Sequence, residues 1–368
     1  MVTGVQTCAL PILGTAPSGV AAERLADGAD IPSSTLHALI ERTRREPLPH
    51  GCVVIVDEAS MADTRSLTAL LEMVERARGK AILIGDPHQL PSVGAGGLFA
   101  EIAERLGAVE LRENRRQIDP AQHDMLEAVR NGDPLDYLSH AVKTGRLVVA
   151  TDLDDARDAL VADWWRHGER DPSSNVMIAL QRADIADLNT AGQELMERAG
   201  RRGPERFLVG DVELAAGDRI ICRRNDQTLG VRNGTRATIL DVDERVRAIT
   251  IQTDRNDTLR LPARYLDEGH VQLGYAMTGH SSQSLTVERA FVLGPEHGEQ
   301  REWGYVALSR ARRATHIYVT DAAIEIEDHA PALDRPDSLN RLARALATPA
   351  ARPLAHTLDR DRSIGPEL

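Results

Sequence analysis

Apolar runs of strand length alternate with segments of helical spacing through the first part of the chain. The run Cys52–Val56 is mostly β-branched and too short for a helix, which predicts a buried parallel strand, and Ala81–Ile84 predicts another. Because Asp63 is a good N-cap residue, it marks the start of one of four predicted helices. These helices span Ser18–Ala26, Thr35–Arg45, Asp63–Arg78 and Gly97–Leu106. The alternation is typical of an α/β domain with a parallel sheet.

A second α/β region follows the first. Two strands and then two helices are predicted there at Arg146–Ala150, Asn175–Leu180, Asp154–His167 and Arg182–Arg201. Trp164 and Trp165 lie in the first of these helices and point about 100° apart, so at least one of them is predicted to be core. Stacking on nucleic-acid bases is the alternative for the other ring.

Between Val209 and His270 the sequence changes to short segments in which apolar and polar residues alternate, as in strands, separated by residues typical of turns. Asn233–Gly234 is a turn dipeptide, and the spacing of the strands predicts a small antiparallel barrel. One more helix is predicted at Ser338–Ala347. The Pro-, Arg- and Asp-rich residues after it predict a disordered tail.

Composition narrows the possible functions of this 368-residue chain. The net charge of −12 argues against a protein that coats nucleic acid by bulk electrostatics, but it does not exclude a local row of basic residues that binds phosphates. Arginine is dense at Arg201–Arg236 and Arg301–Arg313, where a solvated face is the alternative to a phosphate track. Three cysteines cannot form a disulfide framework, and no apolar run has the length of a membrane span, so a cytoplasmic protein is expected.

Two adjacent carboxylates, Asp57 and Glu58, directly follow the first predicted strand. Functional groups in parallel sheets collect at the carboxyl ends of strands. There Asp57 can hold a Mg²⁺ ion, which prefers oxygen ligands, and Glu58 can orient or deprotonate a water molecule. The pattern resembles the Walker B element of P-loop NTPases, and the alternative is a core strand that ends in a solvated acidic turn.

The second strand runs into a polar loop, Gly85–Gly96, in which the amide of Gln89 can read a γ-phosphate. The GlyAspxxGlnLeuPro pattern of this loop resembles motif III of the superfamily 1 helicases. Further segments resemble motifs Ia, Ib, IV, V and VI in the expected order: Ala16–Ala22, Thr35–His37, Glu113–Gln117, Ala276–Thr286 and Tyr305–Arg312.

Within that superfamily the chain resembles the RecD-like branch, and most of all the helicase half of conjugative relaxases of the TraI/TrwC type, over roughly Leu13 to Thr320. The resemblance implies two RecA-like P-loop NTPase motor domains, α/β units of parallel sheets flanked by helices, with a small SH3-like β-barrel inserted in the second. The expected divisions are a first motor domain at 13–131, a second at 132–208 and 271–330, the barrel at 209–270 and a tail at 331–368.

The resemblance also implies roles for individual residues. ATP and Mg²⁺ are the implied cofactors, with Asp57 as the metal ligand and Gly85, Asp86, Gln89 and Gln283 at the nucleotide. The implied catalytic set is Asp57, Glu58, Gln89, the motif IV arginine Arg116, favoured over Arg115, and the arginine finger Arg310, whose alternative is a surface salt bridge. Single-stranded DNA, moved with 5′-to-3′ polarity, is implied to contact Thr15, Ser18, Thr35, His37, Thr278 and His280.

The chain departs from the family pattern in three places. A phosphate-binding GlyxxxxGlyLys[Ser/Thr] loop is absent, because Lys80 and Lys143 are the only lysines and neither has that context. Motif V has Ser281 in place of a common lysine and Ser284 in place of a glycine. Motif Ia has Val20 where an arginine is common.

The N-terminal residues offer an explanation for the absence of the phosphate-binding loop. Val2–Ile12 looks like a translated sequencing adapter, so the genuine protein is expected to begin near Leu13 as an N-terminally truncated fragment. A secretory signal fits poorly, because the segment has no basic n-region and Pro11 breaks its apolar stretch.

Three functions therefore stay open. The favoured one is the ATP-dependent helicase motor of a conjugative relaxase, with an upstream relaxase domain and the conjugation machinery as partners. The second is a stand-alone RecD-like repair helicase. The third is a non-catalytic DNA-binding module that has lost its P-loop and uses the barrel alone. The sequence upstream of this chain decides among them.

Overall fold

A computed structural model describes residues 10–90, 96–111, 116–168, 171–283, 285–295, 297–321 and 338–350. The described residues form two compact units that divide between Glu110 and Leu111. The predicted tail beyond the last helix lies outside the described residues, as does most of the predicted adapter segment. Ile12, the last residue of that segment, pairs with Val53 in a sheet.

The first unit is a parallel sheet with helices on it. Its sheet has the order β2-β1-β3-β4, and every neighbouring pair of strands is parallel. The strands are β1 (Ile12–Ala16), β2 (Ser33–Thr35), β3 (Val53–Val56) and β4 (Lys80–Leu83). The helices are α1 (Gly19–Ala29), α2 (Leu36–Thr43), α3 (Thr64–Arg76) and α4 (Leu98–Leu106).

Helix α3 shows how local sequence positions the core of this unit. The Asp63 side chain accepts a hydrogen bond from the backbone N–H of Ser66 (2.9 Å), which satisfies a donor that the helix itself leaves unpaired. Leu67, Leu70 and Val74 follow at helical spacing and are buried in one hydrophobic cluster with Val54 and Val56 of strand β3. The predicted N-cap is thereby confirmed.

The second unit contains another parallel sheet, of order β14-β6-β15-β16-β5. Helices pack around it. Its strands are β5 (Leu147–Ala150), β6 (Asn175–Ala179), β14 (Ala276–Thr278), β15 (Val287–Leu293) and β16 (Ala311–Thr320). Its helices are α5 (Ala121–Arg130), α6 (Leu135–Lys143), α7 (Leu153–Gly168), α8 (Arg182–Arg198), α10 (Gly279–Ser282), α11 (Arg301–Leu308) and α12 (Ser338–Ala347). The predicted class, parallel sheets flanked by helices, is confirmed.

An antiparallel sheet of order β12-β11-β10-β9-β13 is inserted between β6 and β14. It consists of β9 (Arg219–Cys222), β10 (Arg236–Asp243), β11 (Ala248–Thr253), β12 (Thr258–Pro262) and β13 (Val271–Leu273), with the short helix α9 (Ala263–Asp267) before its last strand. A two-stranded ribbon precedes it, β7 (Phe207–Val209) and β8 (Val212–Leu214).

Two boundaries differ from the expected ones. The first motor domain was expected to continue to residue 131, but α5 packs against α6 and α11 and therefore belongs to the second unit. The barrel was expected to end at His270, but β13 continues the sheet by pairing with β9. Trp164 is fully buried, as expected for at least one of the two tryptophans, and Arg201 lies over the ring of Trp165.

Candidate functional site

The turn that carries Asp57 and Glu58 is held by both neighbouring strands of the first sheet. The backbone N–H of Asp57 donates to the carbonyl of Thr15 at the end of β1 (2.8 Å). The N–H of Ala59 donates to the carbonyl of Ile84, just beyond β4 (2.7 Å). Between them Glu58 adopts a left-handed backbone conformation, with φ +52°. The turn is thus fixed at the carboxyl edge of the sheet, where the strand pattern predicts it.

The loop after β4 lies against this turn. A Cβ atom on Gly85 would come within 2.9 Å of the backbone N of Ser60, so the close approach of the two loops requires glycine here. Asp86 accepts a hydrogen bond from the backbone N–H of His88 (3.0 Å), which holds the loop that leads to Gln89. The structure therefore brings Asp57, Glu58, Gly85 and Asp86 to one edge of the first unit.

The chemistry of this edge fits a hydrated divalent cation. Asp57 supplies carboxylate oxygens, the ligands that Mg²⁺ prefers. The hydroxyls of Thr15, at the end of β1, and of Ser60, in the turn after Glu58, are buried, and neither has a hydrogen-bond partner among the described residues. No cluster of three or more His, Cys, Asp or Glu side chains suited to a metal occurs in the described part of the chain. A cation at Asp57 would accordingly complete its coordination with oxygens other than carboxylates, from hydroxyls, a ligand or water.

Four residues predicted to contact DNA also belong to the first unit. Ser18 and Thr35 are the N-cap residues of α1 and α2, and their hydroxyls accept the N–H groups of Ala21 (3.1 Å) and Ala38 (3.2 Å). His37 is exposed on α2. Thr15 differs from these three, because its side chain is fully buried and offers no surface to DNA in this conformation.

Motifs IV, V and VI meet inside the second unit, at Ser309. The side chains of Arg116 and Gln117 both donate to the Ser309 carbonyl, at 3.1 and 3.0 Å. Arg310 is only 1% exposed, and its guanidinium donates to the carbonyls of Val306 (2.7 Å) and Ser282 (3.5 Å) and to the hydroxyl of Ser309 (2.7 Å). The three motifs therefore share one hydrogen-bond network, although motif IV was expected in the first domain.

The motif V segment turns from β14 into the short helix α10. Thr278 caps this helix by accepting the N–H of Ser281 (3.1 Å), and its hydroxyl also donates to the Ser281 hydroxyl (3.1 Å). His280 is exposed, whereas Gln283 is 9% exposed. Ser284 lies outside the described residues, as do Glu113, Asn114 and Arg115 of motif IV.

Side chains that the sequence did not single out hold the start of this segment. Asn189 of α8 accepts the N–H groups of Tyr275 (3.0 Å) and Ala276 (2.9 Å) and donates to the Ala276 carbonyl (3.2 Å). The Tyr275 hydroxyl donates to the buried carboxylate of Asp218, just before strand β9 (2.8 Å). No sequence pattern predicts these contacts, since the partners are 57 to 87 residues apart.

The roles expected for the site residues stay predictions, because the described contacts give positions and not activities. Asp57, Glu58, Gly85 and Asp86 lie together in the first unit, with Gln89 on the same loop. Arg116, Arg310 and Gln283 lie in the second unit with Thr278 and His280. No helix in the described part of the chain combines the length and the apolar character that a membrane span needs.

Comparison with known proteins gives three kinds of relative. A family model described as an AAA domain matches residues 2–152. A conjugal transfer protein TraA from Agrobacterium fabrum is 30% identical over 83% of this chain, which spans 28% of that protein. The RecBCD enzyme subunit RecD from Mycolicibacterium smegmatis is 27% identical over 84% of this chain and is matched over 62% of its own length.

Solved structures show the same fold. Pif1 helicase from Bacteroides, bound to single-stranded DNA, aligns with 98% of this chain and 88% of its own, with a TM-score of 0.54 and 17% identity. Pif1 helicase from Candida albicans aligns with 97% of this chain and 96% of its own, with a TM-score of 0.51 and 15% identity. At these identities the likeness concerns the fold alone.

Proposed function

Since the chain is a RecD-like member of the superfamily 1 helicases and is related to the conjugal transfer TraA proteins, we propose that it is the motor region of an ATP-dependent 5′-to-3′ DNA helicase in a conjugative relaxase. The TraA relatives favour conjugation over a stand-alone repair role, because they are 29 to 31% identical to this chain whereas the RecD and RecD2 relatives are 27 to 28% identical. The chain spans only 28% of the length of the TraA proteins, so we propose a relaxase domain as a partner of this region and not as a part of it.

The observation that carries this proposal is the carboxylate turn at Asp57 and Glu58, held from both sides at the edge of a parallel sheet. Mg²⁺ bound with ATP would supply charge neutralisation at the phosphates. The Asp57 carboxylate and the buried hydroxyls of Thr15 and Ser60, at the same edge of the sheet, would hold the hydrated cation. Glu58 would orient and deprotonate the attacking water, and the Gln89 amide would hydrogen-bond to the terminal phosphate.

Arg310 and Arg116 are proposed to stabilise the negative charge that develops on the transferred phosphoryl group. Both side chains donate to oxygens around Ser309 in the described conformation. Arg310 would therefore exchange neutral oxygen acceptors for phosphate oxygens, which form stronger, charge-assisted hydrogen bonds with a guanidinium.

One observation favours the non-catalytic alternative for this chain taken by itself. Its sequence contains no GlyxxxxGlyLys[Ser/Thr] segment, so it lacks the lysine and the backbone cradle that grip the β- and γ-phosphates. We therefore propose that this chain alone hydrolyses ATP negligibly. Single-stranded DNA binding, through motif V and the antiparallel sheet, does not require that loop.

An ATPase assay tests the proposal directly. The chain as it stands is compared with a fusion in which a strand, P-loop and helix from a TraA relative precede Leu13. We expect DNA-stimulated turnover only in the fusion, and we expect Glu58→Gln in the fusion to abolish it. DNA-stimulated turnover by the unfused chain that Glu58→Gln removes would refute the proposed requirement for the loop. A folded fusion that binds ATP without hydrolysing it would refute the proposed catalytic roles.

A further inference from the structure

Arg223, directly after strand β9, is a half-buried arginine with neutral partners. Its Nε donates to the side-chain oxygen of Gln272 (2.7 Å), and its Nη1 donates to the hydroxyl of Ser281 (3.0 Å). In the described part of the chain no carboxylate lies within ion-pair distance of it. Because an arginine keeps its charge in proteins, a positive charge without a counter-ion remains at this position.

A second cation reinforces the first. Arg182 begins helix α8, is exposed, and likewise has no carboxylate partner within the described ranges. Burial and the nearby positive charge of Arg182 lower the pKa of Arg223. The positive charges of these two guanidiniums act on each other and leave a local excess of positive charge, which an anion would relieve.

Four other arginines of the antiparallel sheet are different. Carboxylates pair with Arg219, Arg247, Arg260 and Arg264, at 2.6, 2.8, 3.1 and 3.6 Å. In a chain of net charge −12, carboxylates are abundant enough to provide such partners. Arg223 therefore differs from these four arginines, and it shares the lack of a carboxylate partner with Arg182.

The position of the pair indicates what the anion is. Ser281, the partner of Arg223, belongs to the motif V segment and stands where a lysine is common in the RecD-like branch. The Thr278 hydroxyl lies within hydrogen-bond distance of the same Ser281 hydroxyl. Arg223 thus brings a cation from the antiparallel sheet to the position at which motif V lacks one.

We infer that Arg182 and Arg223, with the hydroxyls of Thr278 and Ser281, form a binding site for a phosphate group of single-stranded DNA. The inference rests on the proposed DNA-binding function and deepens it. Arg182 is exposed, so the place is open to solvent and suits a polymer that passes over it. A guanidinium gives charge-assisted hydrogen bonds to a phosphodiester.

Binding of a fluorescent oligothymidine to the chain, at several salt concentrations, tests the site. We expect Arg223→Gln to weaken binding about tenfold and to reduce the slope of log affinity against log salt by about 0.7, the value for one phosphate on a single strand. Arg260→Gln is the matched control, because it removes the same charge from the same sheet at an arginine paired with Asp243. Its affinity should stay within about twofold of the unaltered protein, since it loses no phosphate contact.

A rescue variant separates the site from a folding defect. Arg223→Gln combined with Ser281→Lys restores a cation beside Thr278, and we expect it to recover most of the affinity and of the salt slope. Thermal unfolding of each variant controls for loss of structure, and Arg223→Lys provides a second variant that keeps the charge. Equal affinities for Arg223→Gln and Arg260→Gln would overturn the inference.

Two other results would also overturn the inference, each for a different reason. If the unaltered chain binds no oligothymidine, the proposed DNA-binding function fails, and the inference fails with it. If Arg223→Gln weakens binding of a fluorescent ATP analogue but not of oligothymidine, the phosphate belongs to a nucleotide and the assignment to DNA is overturned.

Discussion

Arg310 combines a proposed catalytic role with a buried position. Its guanidinium is 1% exposed and donates to Val306, Ser282 and Ser309. Replacement by alanine removes one donor from each of these buried oxygens, although the Val306 carbonyl still accepts from the Ser309 hydroxyl and the Ser282 carbonyl from the N–H of Leu285. The loss of these bonds costs about 1–3 kcal/mol in stability. A loss of activity in such a variant must therefore be separated from a loss of stability.

The fusion that carries a P-loop permits this separation. We expect Arg310→Ala to lower the ATP turnover rate by about 10³-fold or more, as for the loss of an arginine finger, with a much smaller change in nucleotide affinity. Steady-state kinetics and nucleotide titration, both below the unfolding temperature of the variant, measure the two effects. Equal losses in affinity and turnover would mean that Arg310 acts through structure alone.

His316 provides a second test at the residue scale. Its ring stacks on Phe291 (5.1 Å between centroids) and lies 5.2 Å from the ring of His167. Burial lowers the pKa of His316 to about 4, and the charges of His167, Arg146 and Arg289 act in the same direction, against the opposing charge of Asp163. In the unfolded chain the pKa of His316 has its ordinary value of 6.5, so between the two pKa values the unfolded chain binds a proton that the folded protein does not.

The free energy of unfolding should therefore fall as the pH falls from about 6.5 to about 4. His316→Gln should make this decline shallower, because it removes the group that the unfolded state protonates. Urea unfolding followed by circular dichroism at pH 7.5, 6 and 5 measures the effect. His37→Gln, at an exposed histidine, is the control, and an equal change in both variants would contradict the prediction.

At the scale of elements, Tyr275 joins three parts of the second unit. Its backbone N–H donates to Asn189 of α8, its hydroxyl donates to Asp218 before β9, and it directly precedes β14. Gly274 permits this junction, since a Cβ atom there would come within 2.8 Å of the Ile220 backbone. The antiparallel sheet and the motif V strand are thus held against each other by one buried side chain.

Tyr275→Phe removes the hydroxyl and leaves Asp218 with Arg202 (3.0 Å), Gln193 (3.0 Å) and the N–H of Ala215. We expect it to destabilise the second unit by about 1–2 kcal/mol, because a buried carboxylate loses one of its donors. Thermal and urea unfolding measure the change. Tyr265→Phe removes a comparable hydroxyl bond, to the Arg224 carbonyl, where the acceptor is neutral. A larger loss of stability in Tyr265→Phe than in Tyr275→Phe would contradict the importance given to the hydrogen bond with Asp218.

At the scale of the whole molecule, the net charge of −12 limits how DNA can be held. Affinity should come from a narrow track of side chains and backbone amides, because most of the surface repels phosphate. Contacts to some four to six phosphates would give a slope of log affinity against log salt on the order of −2 to −4 for a single strand. Fluorescence anisotropy with an oligothymidine measures this slope. A much steeper value would show an extended basic surface that the net charge conceals.

Local sequence determined the elements of this protein. The β-branched run before Asp57, the N-cap at Asp63 and the leucine spacing of α3 involve neighbours within one turn or one strand, so their patterns are readable along the chain. The order of the motifs also indicated the parallel sheets and the edge at which Asp57, Gly85 and Asp86 meet. These features depend on short-range preferences and on the rule that parallel strands end at the same edge.

Only the tertiary structure decided which distant elements share a unit and a site. Helix α5 belongs to the second unit because it packs on α6 and α11, and β13 belongs to the antiparallel sheet because it pairs with β9. Arg223 meets Ser281 across 58 residues of sequence. Such contacts depend on how completed elements pack against one another. No pattern along the chain records that packing, whereas each element by itself follows from its own residues.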